Sequence, residues 1–189
     1  MPRVHLTSIV CCLILCAGCG VNPPTEPSRQ IAVVTGTWLG TYRVTGCSAD
    51  FQVLDCSYFM EHYVGGSAGS MRLVLAQTGL AVSGTFDSDV TTVTGPRVLL
   101  PVSGSVDSSG TLRLEGGRPF VESHSCFTGS QSGIDITHWR ATMDEVGTRL
   151  TGTFHQSRTG HFFSCYVNTV TFESEIVTLT RQPAPISSS

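Results

Sequence analysis

The feature of this 189-residue sequence that most constrains its fold is a series of segments in which apolar and polar residues alternate with a period of two. This alternation is typical of half-buried β-strands, because successive side chains of a strand point to opposite faces of its sheet. The alternation is least regular in the last segment, where a β-bulge near Ser174 would explain it. Eight segments show the pattern, at residues 35–44, 71–77, 80–86, 97–106, 111–116, 134–143, 149–154 and 169–181. The sequence therefore predicts an all-β fold.

The connections between these segments alternate between short and long. Three tight turns contain glycine, two of them with aspartate, whereas the other four connections are long. The turns lie near residues 78–79, 107–110 and 144–147, and the long connections span 47–70, 87–96, 117–133 and 156–168. Alternate connections of an up-and-down sheet lie at the same end, and eight strands let the first pair with the last. We therefore predict an eight-stranded antiparallel up-and-down β-barrel, with a β-sandwich as the alternative.

A short motif at the start of the first strand adds a family resemblance. Gly36-x-Trp38 resembles the Gly-x-Trp signature of the calycins, which include lipocalins, avidins and fatty-acid-binding proteins. In those families an arginine near the end of the last strand packs over this tryptophan, and Arg181 stands at the corresponding place. The resemblance implies a calycin-like barrel over residues 33–181, with Trp38 and Arg181 forming its floor through a cation–π contact. It does not imply biotin binding, because avidins line the biotin site with several tryptophans, and this sequence has only Trp139 besides Trp38.

The N-terminal residues have the features of an export signal. Arg3 supplies positive charge, and the apolar run at residues 9–15 is too short to span a bilayer. Ala17-Gly18-Cys19 resembles the lipobox of bacterial lipoproteins, although Cys16 stands where that family favours leucine. The resemblance implies lipidation of Cys19, anchoring to a membrane and, because the next residue is not aspartate, delivery to the outer membrane of a cell that has one. An ordinary signal peptide cut elsewhere is the alternative.

The predicted domain boundaries follow from these signals. Residues 1–18 are the signal peptide, and residues 19–32 are the lipidated cysteine and a proline-rich tether that cannot bury a core. Residues 33–182 form the barrel domain, and residues 183–189 are a disordered tail.

Four cysteines remain after the leader and Cys19 are set aside, and an even number in an exported chain favours disulfide bonds. They are Cys47, Cys56, Cys126 and Cys165. Pairing of Cys47 with Cys56 and of Cys126 with Cys165 is favoured. Pairing of Cys47 with Cys165 and of Cys56 with Cys126 is the alternative, since the first and last strands should be adjacent.

Aromatic residues are concentrated in the predicted long connections. They include Tyr58, Phe59, Tyr63, Phe127, Phe162, Phe163 and Tyr166. One interpretation is an apolar mouth for a small ligand or a partner, and the other is a small core with which the loops cap a filled barrel.

Composition excludes several classes of function. All 11 basic residues are arginine, which excludes lysine chemistry, and no basic stripe is present for nucleic acid. A zinc site built from His124, His161, Cys126 and Cys165 is disfavoured, since export argues against free thiolates. No catalytic motif occurs, so a hydrolase using His124, His161 and Glu61 is a remote alternative. The sequence thus predicts a monomeric, non-enzymatic, membrane-anchored lipoprotein without cofactors. Its barrel would bind a small apolar ligand or an envelope protein at its looped end, or be a filled structural barrel without a ligand.

Overall fold

The computed structural model describes residues 31–50, 68–88, 99–124, 127–160 and 168–183, with the backbone alone described for residues 120–124, 127–132 and 168. This part of the chain consists of strands and turns and contains no helix. The eight strands are β1 (Gly36–Ala49), β2 (Ala68–Thr78), β3 (Ala81–Ser88), β4 (Leu100–Val106), β5 (Thr111–His124), β6 (Phe127–Met143), β7 (Arg149–Gly160) and β8 (Asn168–Arg181).

The strands form one closed antiparallel barrel in which each strand pairs with the next along the chain. The barrel closes where β1 pairs with β8, in a register that begins at Trp38↔Arg181 and ends at Ala49↔Val170. The predicted eight-stranded up-and-down barrel is therefore confirmed, and the β-sandwich alternative is wrong. Closure gives every strand two neighbours within the barrel, whereas in the described part residues 117–124 of β5 pair only with β6 and residues 127–132 of β6 pair only with β5.

One detail of the strand prediction is wrong. The stretch predicted as a long connection at 117–133 is mostly strand, because β5 continues to His124 and β6 begins at Phe127, with Val121 paired to Gln131. Its glycine and serine residues predicted a loop, but a two-stranded ladder is held by backbone hydrogen bonds, which do not require apolar alternation. The irregularity expected near Ser174 is present, because Val44 pairs with Ser174 while Gly46 pairs with Glu173. A second register shift places an extra residue of β8 at Val177, since Thr41 pairs with Thr178 while Tyr42 pairs with Ile176.

Another irregularity directs a large side chain into the core. The register of β6 shifts against both neighbouring strands next to His138, which has a left-handed backbone with φ of 53°. A bulge of this kind changes which side chains point inward, and Trp139 is accordingly buried while His138 is exposed. The bulge therefore supplies the barrel with one of its largest core residues.

Candidate functional site

The end of the barrel with the tight turns is closed by an interaction between Trp38 and Arg181. The indole of Trp38 is fully buried and donates a hydrogen bond from Nε1 to Val34 O at 2.9 Å. The Arg181 guanidinium lies 5.2 Å from the centroid of the Trp38 ring, a cation–π distance. Its terminal nitrogen also donates to Val33 O and Thr35 O, both at 2.6 Å. Arg181 therefore ties the last strand to the residues that precede the first.

Residues 31–35, which we call the closing segment, are held from a second side by Gln77 at the end of β2. Val34 N donates to Gln77 Oε1 at 2.8 Å, and Gln77 Nε2 donates to Ala32 O at 3.0 Å and to Gly79 O at 2.9 Å. The sequence analysis did not single out Gln77. The signal that could have identified it is a polar residue following the inward positions Met71, Leu73 and Leu75 of the second predicted strand.

The middle of the barrel is filled by aromatic side chains. The rings of Phe86 and Trp139 meet edge to face at a centroid distance of 5.4 Å, and Trp139 stacks on Phe154 at 5.0 Å. Tyr42 packs edge to face against Phe154 at 5.8 Å. Together with Trp38, these side chains are each less than 2% exposed. The described interior is thus a packed core, which an eight-stranded barrel can fill with side chains alone.

Polar groups are buried next to this aromatic layer. Ser88 Oγ donates to Gln156 Oε1 at 3.5 Å, and Ser174 is also buried. Gln156 Nε2 and Trp139 Nε1 have no hydrogen-bond partner among the described residues. Buried donors usually have one, so these two groups stand out in an interior that is otherwise mainly apolar, with Val170 and Phe172 buried on the same side.

The wall formed by β1, β2 and β3 carries a cavity of about 220 Å³. Its lining includes the cross-strand row Leu39, Arg72 and Asp87, in which Leu39 pairs with Arg72 and Arg72 with Asp87. Asp87 is buried, whereas Leu39 and Arg72 are exposed. The remaining lining residues are Gly40, Ser70, Met71 and Ser88. None of these seven residues belongs to the predicted apolar mouth.

Two of the tight turns are stabilised by aspartate. The Ser109 hydroxyl, the Thr111 amide and the Arg113 guanidinium all donate to Asp107 and hold the pKa of its carboxyl group well below the usual range. In the β6–β7 turn, the pKa of Asp144 is lowered by hydrogen bonds from the amide of Arg149 and from the amide and hydroxyl of Thr148. Both carboxylates organise turns, as Asx-type hydrogen bonds commonly do.

Of the predicted disulfide cysteines, the structure describes Cys47. It lies near the end of β1, paired across to Phe172 in β8, and it is disulfide-bonded. Cys56, Cys126 and Cys165 lie outside the described residues, as does the lipidation candidate Cys19. The two alternative pairings therefore both stay predictions.

The predicted mouth also lies almost wholly outside the described residues. Phe127 begins β6, and its side chain is not described. The others outside the description are Tyr58, Phe59, Tyr63, Phe162, Phe163 and Tyr166. The same holds for Glu61, His161 and the side chain of His124, the residues of the remote hydrolase and zinc interpretations. Within the described ranges, no group of three or more His, Cys, Asp or Glu side chains could hold a metal ion.

Comparison with protein-family models, with curated proteins and with solved structures found no match for this chain. Among the residues that the structure describes, no helix is long and apolar enough to cross a membrane. The fold and the arrangement of its interior define the chain as an all-β protein with a closed eight-stranded antiparallel barrel. Aromatic side chains fill the described interior of this barrel.

Proposed function

We propose that this protein is an exported lipoprotein, anchored by Cys19, whose barrel is a filled scaffold that presents its looped end to a partner in the cell envelope. The sequence supports the anchor through the apolar leader, the Ala17-Gly18-Cys19 motif and the proline-rich stretch that follows. Two or more acyl chains would hold the protein on a membrane stably, whereas one would not. In a cell with two membranes the expected location is the outer one.

The packing of the described core supports a scaffold over a container for an apolar ligand. Trp38, Tyr42, Phe86, Trp139 and Phe154 are buried in the barrel core. The cavity of about 220 Å³ is smaller than the ~300–1,000 Å³ of pockets that enclose a drug-sized ligand. It lies in the barrel wall, where Arg72, Asp87 and Ser88 form part of its lining. Binding through a surface is the function that this packing supports.

The anchor is tested by expressing the full chain in a bacterium that processes lipoproteins and measuring the intact mass of the membrane fraction. We expect a chain that begins at Cys19 and carries acyl groups, and we expect it to float with lipid vesicles in a density gradient. Cys19→Ser should remove both the added mass and the flotation. A mature chain that begins elsewhere and carries no acyl group would contradict the proposed anchor.

The filled scaffold is tested separately, by titrating the purified protein with a fluorescent fatty acid. We expect no saturable binding by the wild-type protein, because the described interior is occupied. Phe154→Ala should create a cavity at the centre of the aromatic layer. Binding of a small apolar probe such as benzene is measured in this variant for comparison with the wild-type protein. Stoichiometric binding of the fatty acid by the wild-type barrel would show that the barrel is a container.

A further inference from the structure

The closed end of the barrel exposes apolar side chains where a water-facing surface would not require them. Seven large hydrophobic side chains are exposed in the described part, and four of them belong to this end. They are Ile31 and Val33 in the closing segment, Leu80 in the β2–β3 turn and Val146 in the β6–β7 turn. Val146 is 79% exposed, although its turn requires no valine. Single exposed apolar residues are common, but a cluster at one end indicates a contact surface.

These residues belong to one continuous surface, because the turns that carry them are connected. Gln77 joins Ala32 of the closing segment to Gly79 of the β2–β3 turn. Gly110 of the β4–β5 turn packs near Ala32 and accepts a hydrogen bond from Met143 N at 3.0 Å, just before the β6–β7 turn. We call the closing segment and the three turns the closed-end surface.

The proposed membrane anchor is attached at this same end. Ile31 is the first described residue, and residues 20–30 separate it from Cys19. At no more than about 3.6 Å per residue, twelve peptide units reach roughly 40 Å. This length would let the barrel take either orientation above a membrane, so the tether alone does not determine which end faces the lipid. Among the described residues, the exposed apolar side chains are concentrated at the closed end, and this end is the one that we place at the lipid.

Charge at the closed end neither opposes nor drives contact with lipid. The sum is taken over the three turns, the strand residue that follows the β6–β7 turn, and the arginines bonded to a turn or to the closing segment. Within this set the carboxylates of Asp107, Asp144 and Glu145 are balanced by the guanidinium groups of three arginines, giving a formal sum of zero. Those arginines are Arg113, Arg149 and Arg181. Contact would therefore depend on burial of apolar surface and would change little with anionic lipid or with salt.

From these observations we propose that the closed-end surface lies against the headgroup region of the membrane, with Val33, Leu80 and Val146 reaching into it. The looped end then points away from the membrane, toward any partner. This inference rests on the proposed lipid anchor and adds the orientation of the barrel to it. Burial of a few apolar side chains at an interface supplements an acyl anchor and does not replace it.

The test uses the full-length acylated protein bound to phosphatidylcholine vesicles that contain brominated acyl chains, which quench nearby tryptophan fluorescence. Leu80→Trp and Val146→Trp place a reporter on the closed-end surface. Leu99→Trp is the matched control, because Leu99 is 50% exposed against 51% for Leu80 but precedes β4 at the opposite end. The native Trp38 and Trp139 are buried in the core, so the wild-type protein gives the background.

We expect quenching at residues 80 and 146 to be several-fold greater than at residue 99, and to be equal in vesicles with and without anionic lipid. Adding Val146→Ser to Leu80→Trp should reduce the quenching, while thermal unfolding checks that each variant is folded. Equal quenching at the two ends, or none at residues 80 and 146 in protein that floats with vesicles, would overturn the orientation alone. Protein that does not float would overturn the anchor and, with it, this inference.

Discussion

Arg181 makes contacts at the closed end that depend on the shape of its side chain. A planar guanidinium can lie over the Trp38 ring while donating to Val33 O and Thr35 O, whereas a lysine ammonium is a compact charge without that geometry. We expect Arg181→Lys to lower the free energy of unfolding by about 1–3 kcal/mol, the range for hydrogen bonds to charged groups plus a cation–π contact. Urea denaturation measures this difference.

Arg149→Lys is the matched control, because Arg149 is exposed and lies in the same region of the barrel. An exposed substitution without a specific contact usually changes stability by no more than about 0.5 kcal/mol. If the two lysine variants lost equal stability, the contacts of Arg181 would not be the reason.

The lowered pKa values of Asp107 and Asp144 predict how stability depends on pH. A carboxyl group with a lower pKa in the folded protein binds its proton more weakly when folded. It therefore favours the folded state above the unfolded pKa of about 3.9 and loses that contribution as the pH falls toward the folded value. We expect the melting temperature to fall as the pH drops below about 4, and to fall less steeply in Asp107→Asn.

Calorimetry between neutral pH and pH 2 would measure this dependence. Glu145→Gln is the control, since it removes a carboxylate from the β6–β7 turn while leaving the hydrogen bonds of Asp144 in place. An Asp107→Asn profile parallel to that of the wild-type protein would show that this turn carries no part of the acid sensitivity. Asp107 is partly exposed, so the part of its shift that comes from the Arg113 guanidinium should also decrease with added salt.

At the scale of strands, inward-facing glycines allow neighbouring backbones to approach closely. A Cβ atom at Gly152 in β7 would overlap Arg140 O of β6, and one at Gly84 in β3 would overlap Val74 O of β2. We expect Gly152→Ala to lower the free energy of unfolding by about 1–3 kcal/mol, the usual cost of overpacking. Chemical denaturation of the variant beside the wild-type protein measures it.

Gly133 in β6 provides the comparison, because Arg118 O, at 3.8 Å, is the nearest described heavy atom to a Cβ there. Gly133→Ala should therefore leave stability nearly unchanged. If both alanine variants were equally stable, strand spacing in the barrel would not depend on the missing side chain of Gly152.

The same strands show which features a sequence can predict. Period-two alternation identified all eight strands and their order, because the inward faces are apolar and the three tight turns contain glycine. It missed the extension of β5 and β6 as far as His124↔Phe127, where pairing depends on backbone hydrogen bonds and not on apolar alternation. It also missed the bulge at His138, since a one-residue insertion is a property of a strand pair.

The candidate sites were less predictable than the strands. The partnership of Trp38 and Arg181 was suggested by a family resemblance, and the structure places the guanidinium over the ring. The cavity lined by Leu39 and Asp87 was not anticipated, because its residues come from three strands and share no motif. A row of cross-strand neighbours can be identified only when the register of strand pairing is known.

At the scale of the whole molecule, closure makes the first and last strands mutually dependent. β1 pairs with β2 on one side and with β8 on the other, and Arg181 and Gln77 hold the closing segment across the end. Separating β1 from β8 would expose backbone groups along both strands and also uncover Trp38, which is fully buried. Partial opening should therefore be too costly to accumulate, and the barrel should unfold in a single transition.

The two tryptophans allow this cooperativity to be measured at two levels of the barrel. Trp38 reports on the closed end at the β1–β8 junction, and Trp139 reports on the aromatic layer in β6. In a urea titration followed by the indole resonances in NMR spectra, with Trp139→Phe used for assignment, we expect both signals to change with the same midpoint and slope. If the Trp38 signal changed at lower urea, the closed end would open before the core. The contacts of Arg181 and Gln77 would then form a separate, weaker unit of structure, because a cooperative barrel cannot lose its floor and retain its middle.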